Sequence, residues 1–357
     1  MSLDIGVGLW TMQSTASAPA SMPGLYRRFV DDARALEELG FHSMWLAEHR
    51  FWYDGWCSAP MVAIAAAAAA TTQLRFGTAM MLLPQQDPRQ LAAAVGTLDR
   101  VSAGRIDVGA GLGHRDAEFD GLGIRRADRG ARMDEALDVL AAAWSGEPWA
   151  FAGRHFHYDE QPPMVTVQHP PPLWIGGMAG PALQRGMDRG LSFMLPQTLY
   201  PDEVAAMVEE IRSGWQRAGV APARVGILKD AWIAEDGEQA REWFLPKAAV
   251  HYREEAGSWW VLKGRATGFE EPDLLERQLT RIVETPLVGN PDEVRAEIET
   301  LAATGIDLLV LRFNFDVTSA GAMAAMGLFG RTVLPAFEHA TQEGGTPPSA
   351  TRGDGGR

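Results

Sequence analysis

Leu173-Trp174-Ile175-Gly176-Gly177-Met178-Ala179-Gly180-Pro181 is the stretch on which the fold turns. Its first three residues suit a short buried strand, the paired glycines a tight turn, and the proline the first position of a helix. The same unit recurs on both sides of it. Upstream, strand-like runs at 3–9, 43–47, 74–79 and 105–110 precede helical stretches at 25–39, 60–70, 84–101 and 129–144. Downstream, helix 181–189 leads to a strand at 191–195, helix 201–218 and a strand at 225–234. A helix opened by Asn290-Pro291 then precedes the last strand, 308–313, and a helix that ends near Leu334. About eight repeats of strand and helix predict an α/β fold, a (β/α)8 TIM barrel. An open doubly wound sheet has the same alternation, because periodicity does not report closure.

Two stretches depart from the rhythm. Residues 147–172 carry aromatics, histidines and prolines and read as an insertion with a β-hairpin near Ala152-Gly153. Residues 245–287 read as a second insertion, with Trp259-Trp260 inside it. The expectation is one domain over 1–341 and a disordered tail at 342–357, where Gly, Thr, Ser and Pro dominate.

The 357 residues are 46% hydrophobic and 22% charged, a globular composition with material for a large core. Lys and Arg number 32 against 46 Asp and Glu, a net charge of −14, which repels phosphate backbones and anionic lipid and argues against nucleic-acid or membrane partners. The single cysteine, Cys57, rules out an internal disulfide and a cysteine-based metal cluster within one chain. No secretory leader is evident, and the chain reads as a cytoplasmic enzyme.

Barrel enzymes gather their chemistry at the carboxyl ends of the strands. That directs attention to Trp10-Thr11, Glu48-His49-Arg50, Thr78-Ala79-Met80, Gly109 to Gly113, Gly176 to Gly180 and Arg312 to Asn314. A histidine at a strand end, His49, suits proton transfer near neutral pH. The turn at Gly176, Gly177, Met178, Ala179 and Gly180 brings backbone N–H groups to a helix start, a setting for a phosphate that needs no basic side chain. An ordinary strand-to-helix loop also favours glycine, so the turn alone does not decide the matter. Gly109-Ala110-Gly111-Leu112-Gly113 lacks dinucleotide-fingerprint spacing and suits close approach of something flat. Trp10, Trp52 and Trp56 are candidates for an apolar substrate pocket, beside Phe51, Tyr53 and the Trp259-Trp260 pair. His155-Phe156-His157 is too sparse a set for a metal centre, and no metal is expected.

Taken together, several segments resemble the bacterial luciferase-like flavin-dependent monooxygenases. They are Gly40 to Phe51, Arg75 to Pro84 with Asp87-Pro88, Leu98 to Arg105, Glu118-Phe119 with Gly123, Pro172 to Gly177, and Val288 to Val294. The resemblance runs from about Leu3 to Leu334, in order. It implies FMN, with reduced FMN as cosubstrate alongside O2, bound at the carboxyl face. It also implies oxygenation of a small hydrophobic organic substrate through a peroxide at the flavin C4a position. His49 takes the catalytic position, and Ala79–Met80 the place of a non-proline cis peptide beneath the flavin. Gly111 would pass beside the ring, and Gly176 to Gly180 would hold the phosphate. The family further implies a separate flavin reductase and a homodimer formed through the helices after the second and third strands.

Three positions depart from the family pattern. Arg50 replaces a second histidine. Leu112 stands where many relatives have a phosphate-binding arginine, leaving His114 or Arg115 to substitute. Met178-Ala179-Gly180 lacks the serine often found there, so phosphate binding would rest on backbone N–H groups. A deazaflavin (coenzyme F420)-dependent oxidoreductase and a non-catalytic flavin-binding partner subunit share the fold and stand as alternatives.

Overall fold

Tryptophans facing glycines fill the centre of the molecule. In the computed structural model, which describes residues 3–14, 20–52, 54–168, 170–263, 280–313 and 320–337, eight parallel strands close into a ring. They are β1 (Asp4–Trp10), β2 (Ser43–Leu46), β3 (Arg75–Thr78), β5 (Ile106–Gly111), β8 (Leu173–Gly176), β9 (Ser192–Leu195), β10 (Val225–Ile233) and β12 (Leu308–Arg312), paired in that order. Contacts of β9 with β10 and of β12 with β1 complete the barrel and exclude the open sheet. After β3 the chain resumes pairing with β5 as β4 (Met81–Leu82). Met81 follows a cis peptide at Ala79–Met80, and a second non-proline cis bond joins Gly8 and Leu9.

Within the ring, Trp45 of β2 and Trp174 of β8 meet edge to face at 5.6 Å, each 1% exposed. Leu228, Leu308, Val310, Met194 and Ala79 complete this inner column. Each indole removes about 200 Å² from water, worth roughly 5 kcal/mol as an upper estimate. Their N–H groups donate to Ser43 Oγ and Asp107 Oδ1, both at 2.9 Å, so neither burial leaves an unmet donor. Room for them comes from the facing strands. A Cβ at Gly77 would lie 2.3 Å from the Trp45 ring, and one at Gly226 would lie 3.1 Å from Trp174.

The ring is surrounded by α1 (Met22–Glu38), α2 (Pro60–Ala68), α3 (Pro88–Val101), α4 (Asp116–Gly121), α5 (Arg129–Ala143), α6 (Gly180–Asp188), α7 (Pro201–Ala218), α8 (Gly237–Lys263), α9 (Pro291–Ala302) and α10 (Ala320–Thr332). Their starts follow capping chemistry: Ser21 accepts from Gly24 N–H before α1, and Asp87 from Arg89 and Gln90 before α3. Asn290 and Glu293 form a capping box before α9.

The first insertion contains the expected hairpin, β6 (Trp149–Ala152) and β7 (His157–Gln161), antiparallel. Its turn is held by Glu135 of α5, whose carboxylate accepts the N–H groups of Arg154, His155 and Phe156 at 2.8–3.0 Å. The stretch read as a second insertion is described in part. Residues through Lys263 belong to the 27-residue helix α8, with Pro246 inside it, and β11 (Leu287–Gly289) pairs in parallel with β10. Residues 264–279, Tyr53, Asn314 and the tail 342–357 lie outside the described residues, as do the side chains of Trp259 and Trp260. Among the described residues no helix is long and apolar enough to cross a membrane.

Candidate active site

Beyond β2 the chain enters the carboxyl rim as Glu48-His49-Arg50. The His49 N–H donates to Cys57 O at 3.1 Å, pinning the backbone there. Its Nδ1 lies 2.8 Å from Glu118 Oε1, on the short helix α4. The same oxygen receives the Arg50 N–H at 2.9 Å and Arg115 Nη1 at 3.3 Å. Burial works against ionisation of Glu118, which has no exposed surface. The His49 hydrogen bond and charge, the Arg50 N–H and the Arg115 guanidinium outweigh burial and hold its carboxyl below the usual carboxylate range. An ionised Glu118 accepts a hydrogen bond from Nδ1–H, so in the neutral ring the lone pair lies on Nε2.

Glu48 is tuned the other way, since burial pushes its carboxyl up although Arg50 opposes it. It accepts the Leu82 N–H at 2.8 Å and Gln86 Nε2 at 3.1 Å, tying the end of β2 to the chain after β3. Arg50 is locked onto the same carboxylate through Nε at 3.0 Å.

Aromatic rings close around the imidazole. Trp56 and Trp52 have centroids 4.5 and 5.4 Å from His49, and His114 stands nearly perpendicular at 5.8 Å. Arg115 lies 3.8 Å over the Trp52 ring. With Glu118 three residues on and Arg50 O at 3.1 Å, its guanidinium belongs to the His49 cluster. Trp56 Nε1 and Glu118 Oε2 are buried polar atoms without a hydrogen-bond partner among the described residues. Trp10 does not join this group. Its indole packs on Phe29 of α1 and donates to Asp32 Oδ2 at 3.3 Å, while Leu9 packs against the inner column. A register shift between Val7 and Trp10 turns the side chain out of the barrel.

Met80 lies across the top of the inner column. Beside it are Gly109, Gly111 and Gly176, where an added Cβ would stand 2.8–2.9 Å from Met80 atoms. The next residue, Gly177, has φ +115°, and Gly177, Ala179 and Gly180 are exposed at the start of α6. Ala179 caps that helix without a side-chain bond.

Across the mouth stands a polar group of which sequence reading singled out only the strand end at Arg312. Asp230 of β10, 2% exposed, accepts Arg312 Nε at 2.6 Å and the Tyr252 hydroxyl at 2.5 Å. Gln197 Nε2 donates to Tyr252 Oη at 3.2 Å. The backbone of that loop is held by Lys229, whose ammonium donates to Gln197 O and Leu199 O at 3.0 and 2.6 Å. Burial pushes the Lys229 ammonium down to about 8, against the pull of Asp230, Glu297 and Glu203. Between that value and its unfolded one the unfolded chain binds more protons, so stability rises with pH. Relative to Lys229→Met, wild type should therefore gain up to about 3 kcal/mol from pH 7 to 10 in urea unfolding. A constant difference would show that the ammonium is not penalised by burial.

Comparison with known proteins decides the family. The family model described as luciferase-like monooxygenase matches residues 6–308. The chain belongs to the luciferase-like monooxygenases. It is 27% identical over 336 residues to 4-hydroxyprotoasukamycin monooxygenase of Streptomyces nodosus subsp. asukaensis, 88% of each chain. It is 26% identical over 322 residues to the F420-dependent glucose-6-phosphate dehydrogenase of Nakamurella multipartita, covering 86% of this chain and 91% of that one. The crystal structure of monooxygenase RslO1 from Streptomyces bottropensis aligns with a TM-score of 0.75 at 26% identity, over 94% of this chain and all of that one. The luciferase-like chain is thus an oxidoreductase of a family whose members use different flavin-type cofactors. Among its described residues no cluster of three or more His, Cys, Asp or Glu could hold a metal, and His157 is a surface side chain.

Proposed function

We propose that this luciferase-like protein is the oxygenating component of a two-component monooxygenase. It would accept reduced FMN from a separate reductase and use O2 to oxygenate a small hydrophobic substrate. The observation that carries the reading is the His49–Glu118 pair at the carboxyl rim, walled by Trp52 and Trp56. The residues fit a flavin: Met80, packed over Gly109, Gly111 and Gly176, offers an apolar floor, and the exposed turn at Gly177 offers backbone donors at the positive end of α6. Reduced flavin bound there would supply the electrons that activate O2.

The chain's own residues would do the rest. Gly177 to Gly180 would hold the phosphate through N–H groups, without a basic side chain. The two indoles would keep water from the reacting atoms. His49 Nε2 would hold or deliver a proton, its ring fixed by Glu118. This intact pair favours a catalytic chain over a non-catalytic partner subunit. On the outside of α2, Val62 keeps 73% of its surface, which supports pairing of two copies across α2 and α3.

Anaerobic fluorescence titration tests the reading. FMN is expected to bind about tenfold more tightly than riboflavin, ~1.4 kcal/mol from the phosphate on the turn. Equal affinities would remove the turn at Gly177 from the site. Binding of the deazaflavin but not FMN would replace oxygenation by hydride transfer, the reaction class that the dehydrogenase from Nakamurella multipartita represents.

A further inference from the structure

The inner column does not stay apolar to its top. Gly226, Leu228 and Asp230 pair in register with Leu308, Val310 and Arg312. Leu228, Leu308 and Val310 belong to the inner column, so Asp230 and Arg312 continue its face at the carboxyl end. A guanidinium–carboxylate pair there loses hydration that apolar residues of similar size would not lose, so it is a poor device for stability. It is well built for recognition. Asp230 is buried and receives both Arg312 and Tyr252. Tyr252, 8% exposed, is braced by Gln197, whose carbonyl accepts from Lys229 and Thr285. The Arg312 guanidinium also lies 5.1 Å over the Tyr252 ring. Arg312 itself keeps 13% of its side-chain surface, against 2% for Asp230.

We propose that Arg312, oriented by Asp230 and Tyr252, is a substrate-binding residue that receives an acidic oxygen, a carboxylate or phenolate, on an otherwise hydrophobic substrate. The inference rests on the reading of the barrel mouth as the substrate site and narrows the substrate class. Its geometry is simple. β12 is separated from β2 by β1 alone, so the strand ends bearing Arg312 and leading to His49 are about 10 Å apart, two strand spacings. That span suits an aromatic or short aliphatic body whose anionic end meets the guanidinium while its other end approaches the imidazole.

Calorimetric titration of the flavin-free protein with benzoate and with its neutral counterpart benzamide tests this. Benzoate is expected to bind with a Kd of about 1 mM or tighter, and at least about tenfold more tightly than benzamide. Arg312→Met should abolish that preference and leave benzamide unchanged, while Arg312→Lys should retain part of it. If Arg312→Met fails to fold because Asp230 is left unpaired, the double variant Asp230→Asn with Arg312→Gln, neutral at both positions, carries the same comparison. Failure of benzoate to bind wild type, equal binding of the two probes, or an unchanged preference in the variants would overturn the assignment. Because no flavin is present, these outcomes are independent of the FMN and riboflavin titration.

Discussion

His49→Gln is expected to lower turnover with reduced FMN, O2 and substrate by a factor of about 10²–10⁴, the usual worth of a positioned acid–base group. Glutamine keeps a donor near Glu118 Oε1 but has no nitrogen able to take up and release a proton. The urea midpoint should therefore stay close to that of wild type. His49→Ala should lose as much activity and also about 1–3 kcal/mol of stability, because a buried carboxylate loses a partner at 2.8 Å. Glu118→Gln separates orientation from proton transfer. The amide no longer obliges Nδ1 to carry the proton, and turnover should fall roughly ten- to a thousandfold with the imidazole still present. Rapid-mixing kinetics on the three variants gives the ranking. Wild-type turnover in His49→Gln would remove this residue from the chemistry.

Gly109→Ala is expected to cause the largest loss of stability, about 4 kcal/mol or more. A Cβ at that position would lie 1.8 Å from the carbonyl oxygen of Thr78 and 2.8 Å from Met80 Sδ. The first neighbour is backbone, and it is clamped. Thr78 Oγ1 donates to Gly109 O, and Gly109 N–H donates to Thr78 Oγ1, both at 2.9 Å. This hydroxyl bridges the strands between the Gly77–Asp107 pair and the Met81–Ala110 pair, where the ladder is interrupted. Neither strand can give way without losing it. Gly180→Ala is the contrasting case, since an added Cβ there meets nothing within 4 Å, and its unfolding midpoint should shift by no more than about 0.5 kcal/mol. Equal midpoints for the two variants would show that the barrel gives way at Gly109.

The ring was readable from alternation because each strand–turn–helix unit is local. Its closure was not, since the contact of β1 with β12 joins the first and last strands, segments that no spacing relates. His49 could be found from its place at a strand end. Its partner Glu118 is 69 residues away, and only its occurrence in a family-like segment marked it. Arg115 was a candidate for the phosphate, yet an acid three residues on, at one helix turn's spacing, takes up its charge. Trp10 was a candidate because it stands at a strand end, and that position does not report which way the side chain faces. With Gly6 and Gly8 facing the interior, tryptophan two residues on should face it too, but the shift after Val7 reverses the face. Arg312 was singled out as a strand end, whereas Asp230, inside the strand read at 225–234, was not. Both residues sit at even spacing from the apolar column, so parity alone would have put two opposite charges at the mouth.

One consequence of ring closure concerns association. Strands inside the ring spend their main-chain donors and acceptors on two neighbours each, so the described residues leave unpaired strand margins mainly at β11 and the β6–β7 hairpin. These are three to five residues long, short templates for recruiting a foreign strand. Any self-assembly of this chain must then be written in helix surfaces and loop side chains, and a variant that clumps would first have to tear the hoop open.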